Sequence, residues 1–199
     1  MSARTAAVAG GDQADTAAGT VAPMRWWDLD DVRAVEVPSF GPDAWTRESF
    51  LSEMGQPGRR YRVLRGTDGE LLGYLGVAVH GADAELQTLA VAPGRRGRGL
   101  GRRLVGVAVD VAREAGARRL DLEVREQDPV AVAVYQGAGF RRQGRRPGYY
   151  SPAEPGGERV AALLMRLDLP ARPRPVGPPE TGPHARVAPG TPDGAQAAW

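Results

Sequence analysis

The sequence predicts one α/β (α+β) domain with a mixed sheet, in which antiparallel hairpins lie at the edges and one parallel strand pair lies near the centre. Residues 84–125 read as strand, helix and strand, and this order implies parallel pairing through a right-handed crossover. Alternating apolar segments before and after this unit are joined by turn-rich stretches, which is the pattern of antiparallel hairpins.

Composition limits the chemistry that is open to the chain. Its 199 residues are 42% hydrophobic, which is enough to build one domain core. The chain has no cysteine and only two histidines, His80 and His184, so we expect neither a cysteine nucleophile nor a metal site. Acid–base chemistry must then come from carboxylates and tyrosines. The formal charge of +2 does not by itself indicate nucleic-acid binding.

The chain divides into a domain and two tails. Residues 1–23 are rich in Ala, Gly and Thr, and residues 170–199 are rich in proline. We predict that both are disordered, because neither can bury enough apolar surface to offset the loss of chain entropy. The domain should therefore span residues 24–169. We find neither a signal peptide nor a membrane-spanning run, and we expect a cytoplasmic protein.

Two helices are predicted at the start of the domain. Residues 24–27 read as a short strand, and residues 28–37 read as a helix that Asp28 or Asp30 could cap. A Gly-Pro break follows, and then a second amphipathic helix that carries Phe50, Leu51 and Met54. Trp45 lies near this break, where it reads most simply as a core residue.

Three strands come next. Residues 61–65 and 71–80 form a predicted hairpin, because Asp68-Gly69 is a strong turn signal. Gly81 and Ala82 then turn the chain into a strand over residues 84–91.

A loop rich in arginine and glycine leads into a helix with a single apolar stripe and a C-cap at Gly116. The residues of this stripe are Leu100, Leu104, Val107, Val111 and Ala115. Glycines before a helix leave backbone N–H groups accessible, and these groups together with the helix dipole can bind a phosphate. A solvated basic turn is the alternative interpretation of the same loop.

The chain closes with a strand, a helix and two more strands. Residues 119–125 alternate strictly, so that Glu123 faces away from the apolar side. Asp128-Pro129 then begins a helix that contains Tyr135. The final strands are predicted over residues 140–145 and 160–167, with a Pro- and Gly-rich loop over residues 149–157 between them.

These residues resemble the GNAT superfamily of N-acetyltransferases, whose acetyl-CoA signature is matched here by Arg96, Gly99 and Gly101. Within that superfamily the chain is similar to bacterial ribosomal-protein-alanine acetyltransferases (RimI type). The stretches that carry this likeness are Leu122-Glu-Val-Arg125, Ala133-Val-Tyr135, Gly139-Phe140, Pro42 with Trp45, and Tyr149-Tyr150. The resemblance covers residues 24–169 and implies a mostly antiparallel sheet whose central parallel strands splay apart.

The resemblance implies acetyl-CoA as the co-substrate. The strand backbone at Leu89, Ala90 and Val91 would contact its acetyl and pantetheine part, and an unpaired N–H there would stabilise an oxyanion. The residues that would hold the pyrophosphate are Arg96, Gly97, Arg98, Gly99, Leu100, Gly101 and Arg102. Asp128 falls at a cofactor-binding position where the family usually has Asn, and it replaces an amide donor with a negative charge.

The resemblance also assigns the chemistry. Glu123 matches the general base, and Tyr135 matches the general acid that protonates the departing thiolate. Trp45 and Tyr149 match positions that contact the acceptor. Without the resemblance, Glu123 reads as a polar strand residue and Tyr135 as a core aromatic.

The acceptor implied by the likeness is the N-terminal α-amine of a protein that begins with Ala or Ser, such as a small-subunit ribosomal protein. Because cysteine is absent, the amine would attack directly in a ternary complex. An α-amine is also easier to deprotonate than lysine, since its pKa is about 2.5 units lower. Acetylation of a small-molecule amine or a lysine side chain, and a non-catalytic acyl-CoA-binding module, stay open as alternatives. We expect neither nucleic acid nor a membrane as a partner.

Overall fold

The computed structural model describes residues 4–5, 19–152 and 156–170. Within them an eight-stranded mixed sheet forms the centre of the fold. Its strands are β1 (Arg4–Thr5), β2 (Thr20–Pro23), β3 (Arg59–Arg65), β4 (Leu71–His80), β5 (Asp83–Val91), β6 (Arg119–Arg125), β7 (Arg141–Tyr150) and β8 (Val160–Asp168). They lie in the order β2-β3-β4-β5-β6-β8-β7, with β1 beside β5. The predicted mixed, mostly antiparallel sheet is confirmed.

The central pair β5 and β6 is parallel over only part of its length. Residues 83–86 of β5 pair with residues 119–122 of β6. Further along β5, Thr88 and Leu89 pair with the short strand β1. The two central strands therefore part after Leu86, which confirms the predicted splay.

In the part of the chain that the structure describes, four α-helices cover the two faces of the sheet: α1 (Leu29–Phe40), α2 (Arg47–Met54), α3 (Leu100–Glu114) and α4 (Pro129–Gly137). Helices α3 and α4 share one core cluster with inward residues of the central strands, such as Leu89 and Leu122. Helices α1 and α2 share a second cluster with Tyr74 and Ala90. Adjacent residues of β5, Leu89 and Ala90, thus pack into different cores, as the alternation of a strand buried on both sides requires.

Local sequence signals explain most helix ends. The Thr46 side chain accepts a hydrogen bond from the Ser49 N–H at the start of α2, at 3.1 Å. Asp128 does the same for Ala131 at the start of α4, at 2.9 Å. Gly116 has a φ of +85°, a left-handed conformation that suits the residue following α3. None of the helices in the described ranges is long and apolar enough to cross a bilayer.

Two predicted boundaries are wrong. The first strand is Thr20–Pro23 rather than residues 24–27, and it lies inside the stretch predicted as a disordered tail. Backbone pairing with β3 orders this strand, and Val21 and Ala22 are half-buried against the two cores, whereas Trp26–Asp28 forms a 3₁₀ turn. The rest of residues 1–18, apart from Arg4–Thr5, and the tail after Pro170 lie outside the described residues. Strand β7 continues to Tyr150, so the Tyr149-Tyr150 pair ends a strand rather than lying in a loop.

Candidate active site

Glu123 is a buried carboxylate on the central strand β6. Its neighbours Leu122 and Val124 point into the core formed with α3 and α4, so Glu123 points to the opposite face of the sheet. It is nevertheless only 7% exposed. A carboxylate at this depth must be held by charged or hydrogen-bonding partners.

Two residues at the end of β7 hold Glu123. An Nη atom of Arg146 lies 2.8 Å from Glu123 Oε1. Burial raises the pKa of Tyr149, and a hydrogen bond to the Glu123 carboxylate raises it further. The Arg146 guanidinium lies 5.0 Å from the centre of the Tyr149 ring. Glu123, Arg146 and Tyr149 therefore form one cluster, and Arg146 is the member that was not predicted from the sequence.

A cavity of about 300 Å³ opens beside Glu123 on the same face of the sheet. Its wall includes Glu85 from β5 and Asp121 from β6, and Arg166 binds Asp121 through two hydrogen bonds of 2.6 and 2.9 Å. The cavity gives an acceptor molecule room next to the Glu123 carboxylate.

Tyr135 lies in the core on the opposite side of the sheet. It is completely buried on α4 and packs edge-to-face on Phe140, with ring centres 5.6 Å apart. Burial raises the pKa of Tyr150, and the charges of Glu123 and Tyr135 raise it further. Tyr150 is thus within electrostatic range of both predicted catalytic residues, although they belong to different faces.

The glycine loop has the backbone that an anion site needs. Gly97 and Gly99 have backbone φ values of +81° and +74°, which residues that have a Cβ rarely adopt. Among the described residues, no side chain caps the start of α3. The first N–H groups of the helix, at Leu100, Gly101 and Arg102, can therefore serve a phosphate, and Arg98 and Arg102 are exposed beside them.

Arg96 and Asp128 follow the ends of the two central strands and lie close enough to interact electrostatically. Arg96 donates to the Val91 carbonyl at 3.2 Å and to Ser39 Oγ at 2.8 Å, so it ties the loop to the end of β5 and to α1. Burial raises the pKa of Asp128, and the nearby Arg96 charge opposes that shift. Asp128 also lines a cavity of about 410 Å³ between α4 and the turn after α1.

The end of β5 carries the other predicted cofactor residues. Leu89, Ala90 and Val91 are buried, so a ligand could reach only their backbone. Thr88 and Leu89 pair with β1 along this edge, so the edge can hold an extended segment, and a ligand bound there would take the place of β1. Together with the uncapped start of α3 and the left-handed glycines, this edge fits a long ligand that carries a pyrophosphate. Acetyl-CoA is such a ligand.

Trp45 lies apart from this cluster. Its ring is buried in the core of α1 and α2 and stacks on Phe50 with ring centres 5.2 Å apart. Its backbone N–H donates to Glu36 Oε1 at 2.7 Å. These contacts are those of the core residue that the sequence also allowed.

Comparison with known proteins agrees with the fold and with the resemblance found in the sequence. The model of the acetyltransferase (GNAT) family matches residues 24–140. A Bacillus subtilis protein provisionally named ribosomal protein bS18-alanine N-acetyltransferase is 38% identical over 129 residues, which are 64% of this chain and 84% of that protein. The N-alpha-acetyltransferase RimI of Mycobacterium tuberculosis is 34% identical over 142 residues, 69% of this chain and 87% of that protein. The crystal structure of the Escherichia coli ribosomal-protein-S18-alanine N-acetyltransferase superimposes with a TM-score of 0.70 over 80% of this chain and 99% of that one. Because the two sequences are only 24% identical, this similarity supports the fold alone.

Proposed function

The chain belongs to the acetyltransferase (GNAT) family, and from this we propose that it transfers an acetyl group from acetyl-CoA to the α-amine at the N-terminus of a protein. The observation that carries the proposal is the buried Glu123, which lines a cavity on one face of the sheet beside the paired residues of β5 and β6, while α3 packs on the other face. The acceptor would thus meet Glu123 from the face opposite to α3.

The donor would bind along the end of β5 and the start of α3. Backbone groups of Leu89, Ala90 and Val91 would hold its pantetheine arm, and Asp128 would lie beside it. The residues proposed to hold the pyrophosphate are Arg96, Gly97, Arg98, Gly99, Leu100, Gly101 and Arg102. Acetyl-CoA, when bound, supplies a thioester carbonyl that a neutral amine can attack.

Glu123 and Tyr135 would manage the protons. Glu123 would accept the proton of the acceptor ammonium, directly or through a water molecule. An α-amine has a pKa of about 7.7–8.0, so one carboxylate is sufficient for this task. Tyr135 would donate its hydroxyl proton to the leaving sulfur, and its complete burial would keep bulk water from that transfer. Direct attack in a ternary complex agrees with a chain that has no cysteine.

The acceptor we propose is the N-terminus of a ribosomal protein with a small first residue, which would place the reaction in the cytoplasm. The name of the Bacillus relative supports this choice, and the name of the Mycobacterium relative supports an α-amine acceptor. Tyr149 would contact the acceptor, because it shares the cluster of Glu123. Trp45 lies in the core, so it would affect acceptor binding only by shaping the turn between α1 and α2.

Mass spectrometry of acceptors incubated with the enzyme and acetyl-CoA tests the proposal. Peptides that begin with Ala or Ser should gain one acetyl group. A polyamine, and an N-terminally blocked peptide that contains lysine, should not. Turnover on the polyamine alone would support the small-molecule alternative. Binding of CoA without turnover on any acceptor would support a non-catalytic module.

A further inference from the structure

We propose that Arg125 is a positioning residue that holds the acceptor side of the site together, an inference that rests on the proposed function. Arg125 lies two residues after Glu123 on β6, so both side chains point to the same face of the sheet. Its guanidinium joins β6 to two segments that are distant in the sequence, the turn after α1 and the end of β7. We call this group, formed by Asp43, Arg125, Tyr150 and Ser151, the Arg125 clasp.

The contacts of the clasp are specific. Arg125 donates to Asp43 Oδ2 at 2.5 Å and to the Ser151 carbonyl at 3.1 Å. The Ser151 N–H donates back to Asp43 Oδ2 at 3.2 Å, which closes a ring of hydrogen bonds. The guanidinium also lies 4.6 Å from the centre of the Tyr150 ring. An arginine can make these planar and stacked contacts at once, whereas a lysine cannot.

The clasp is partly shielded from solvent. The side chain of Arg125 is 21% exposed and that of Asp43 is 19% exposed. An ion pair at this depth is less screened by salt and water than one on the open surface. It can therefore fix the relative position of the segments that it joins.

Those segments border the proposed acceptor site. Asp43 lies in the turn between α1 and α2, two residues before Trp45. Tyr150 and Ser151 directly follow Tyr149, which belongs to the Glu123 cluster. The clasp thus ties the α1–α2 turn to the end of β7 across the end of β6. Without the guanidinium, the hydrogen bond from the Ser151 N–H to Asp43 would be left to join the turn to the strand end, and the acceptor would meet a less ordered surface.

The expected effect is specific to acceptor binding. Glu123 keeps its own partners, Arg146 and Tyr149, so the chemical step should change little. The glycine loop and α3 belong to the other face of the sheet, so we expect donor binding to change little as well, although Arg125 lines the same cavity as Asp128. For Arg125→Gln we expect the KM of an N-terminal peptide to rise about tenfold, with kcat and the acetyl-CoA Kd within about twofold of wild type.

Matched variants strengthen the test. Arg125→Lys should recover part of the lost acceptor affinity, and Asp43→Asn should reproduce the effect of Arg125→Gln. The double variant should be no worse than either single one, because both remove the same interaction. Arg145→Gln is the control, because Arg145 is an exposed arginine of β7 that pairs with Glu126 at 2.7 Å. This substitution should leave the peptide KM, the kcat and the acetyl-CoA Kd unchanged.

Amide hydrogen exchange separates failure of the clasp from failure of the proposed function. In Arg125→Gln the amides of Gly41, Asp43, Ala44 and Ser151 should exchange faster than in wild type, whatever the acceptor is. Faster exchange supports the clasp even if no N-terminal peptide is acetylated by the wild-type enzyme. Unchanged exchange, or an equal loss of kcat and of acetyl-CoA affinity, overturns it. Should Arg125→Gln not fold, Asp43→Asn and Arg125→Lys decide by the same measurements.

Discussion

Glu123 and Arg146 form an ion pair of 2.8 Å between the central strand β6 and the edge strand β7. The side chain of Glu123 is 10% exposed and that of Arg146 is 47% exposed, so the pair joins a buried group to one that reaches solvent. In the proposed reaction this arrangement has two effects. The cation holds Glu123 in place, and it disfavours a protonated amine beside the carboxylate, which favours the neutral form that can attack.

Glu123→Gln should lower kcat by about 10²–10⁴-fold, because an amide cannot accept the acceptor's proton. Acetyl-CoA binding, measured by calorimetry, should stay near wild type. Glu126→Gln is the matched control, since Glu126 is close in sequence but pairs with Arg145 at the surface. Equal turnover in Glu123→Gln and wild type would remove Glu123 from the mechanism.

Tyr135→Phe should also lower kcat, again by about 10²–10⁴-fold, because only the hydroxyl that would protonate the sulfur is lost. The matched control is Tyr61→Phe, which removes a hydroxyl bonded to Gln87 at 2.9 Å elsewhere in the interior. That control should lose about 1 kcal/mol of stability and keep its kcat. A Tyr135→Phe enzyme with normal kcat would leave Tyr135 as a core aromatic.

Gly97→Ala should weaken acetyl-CoA binding about tenfold. Its φ of +81° costs a residue with a Cβ about 1–2 kcal/mol, so the loop would relax away from the shape proposed for the pyrophosphate. Gly106→Ala is the control, because Gly106 lies within α3 and a Cβ there would meet open space. It should bind acetyl-CoA normally and gain about 1 kcal/mol of stability. Equal affinities of the two variants would argue against the loop as the donor site.

Asp128→Asn should change how stability depends on pH. Burial raises the pKa of Asp128 in the folded state, so ionised Asp128 opposes folding at neutral pH. This cost declines as the pH falls through the raised pKa and is absent below the ordinary pKa of about 3.9. The Asn variant, which keeps a good helix cap, should therefore unfold at higher denaturant concentration than wild type at pH 7 and at an equal concentration below about pH 4. A difference that grows on acidification would contradict the sign of the shift.

Local patterns predicted the elements that carry the site. The strict alternation of residues 119–125 gave the observed bounds of β6 and the outward direction of Glu123. The Asp68-Gly69 turn signal predicted where β4 begins, and the glycines before Leu100 predicted the start of α3. Each of these signals is contained in a few neighbouring residues, which is why the sequence alone sufficed.

Contacts between distant segments were not predictable in this way. Arg146 reaches Glu123 from β7 across the intervening strand β8, and β7 has register shifts between Arg142 and Gly144 and after Arg146 that local sequence patterns do not reveal. Nothing in the sequence distinguishes Arg146 from the other arginines of β7. The Arg125–Asp43 pair joins residues 82 positions apart and depends on how α1 packs over the sheet. Both contacts require the tertiary structure.

Acetyl transfer at an N-terminal α-amine is the central claim, and the position of the acetyl group on one peptide tests it most directly. The peptide should carry the N-terminal sequence of a bacterial ribosomal protein bS18, beginning with alanine, and contain at least one lysine. After incubation with the wild-type enzyme and acetyl-CoA, fragmentation by mass spectrometry should place a single acetyl group on the first residue, and a copy with a blocked N-terminus should remain unmodified. Acetylation of the lysine, or of the blocked copy, would contradict the claim.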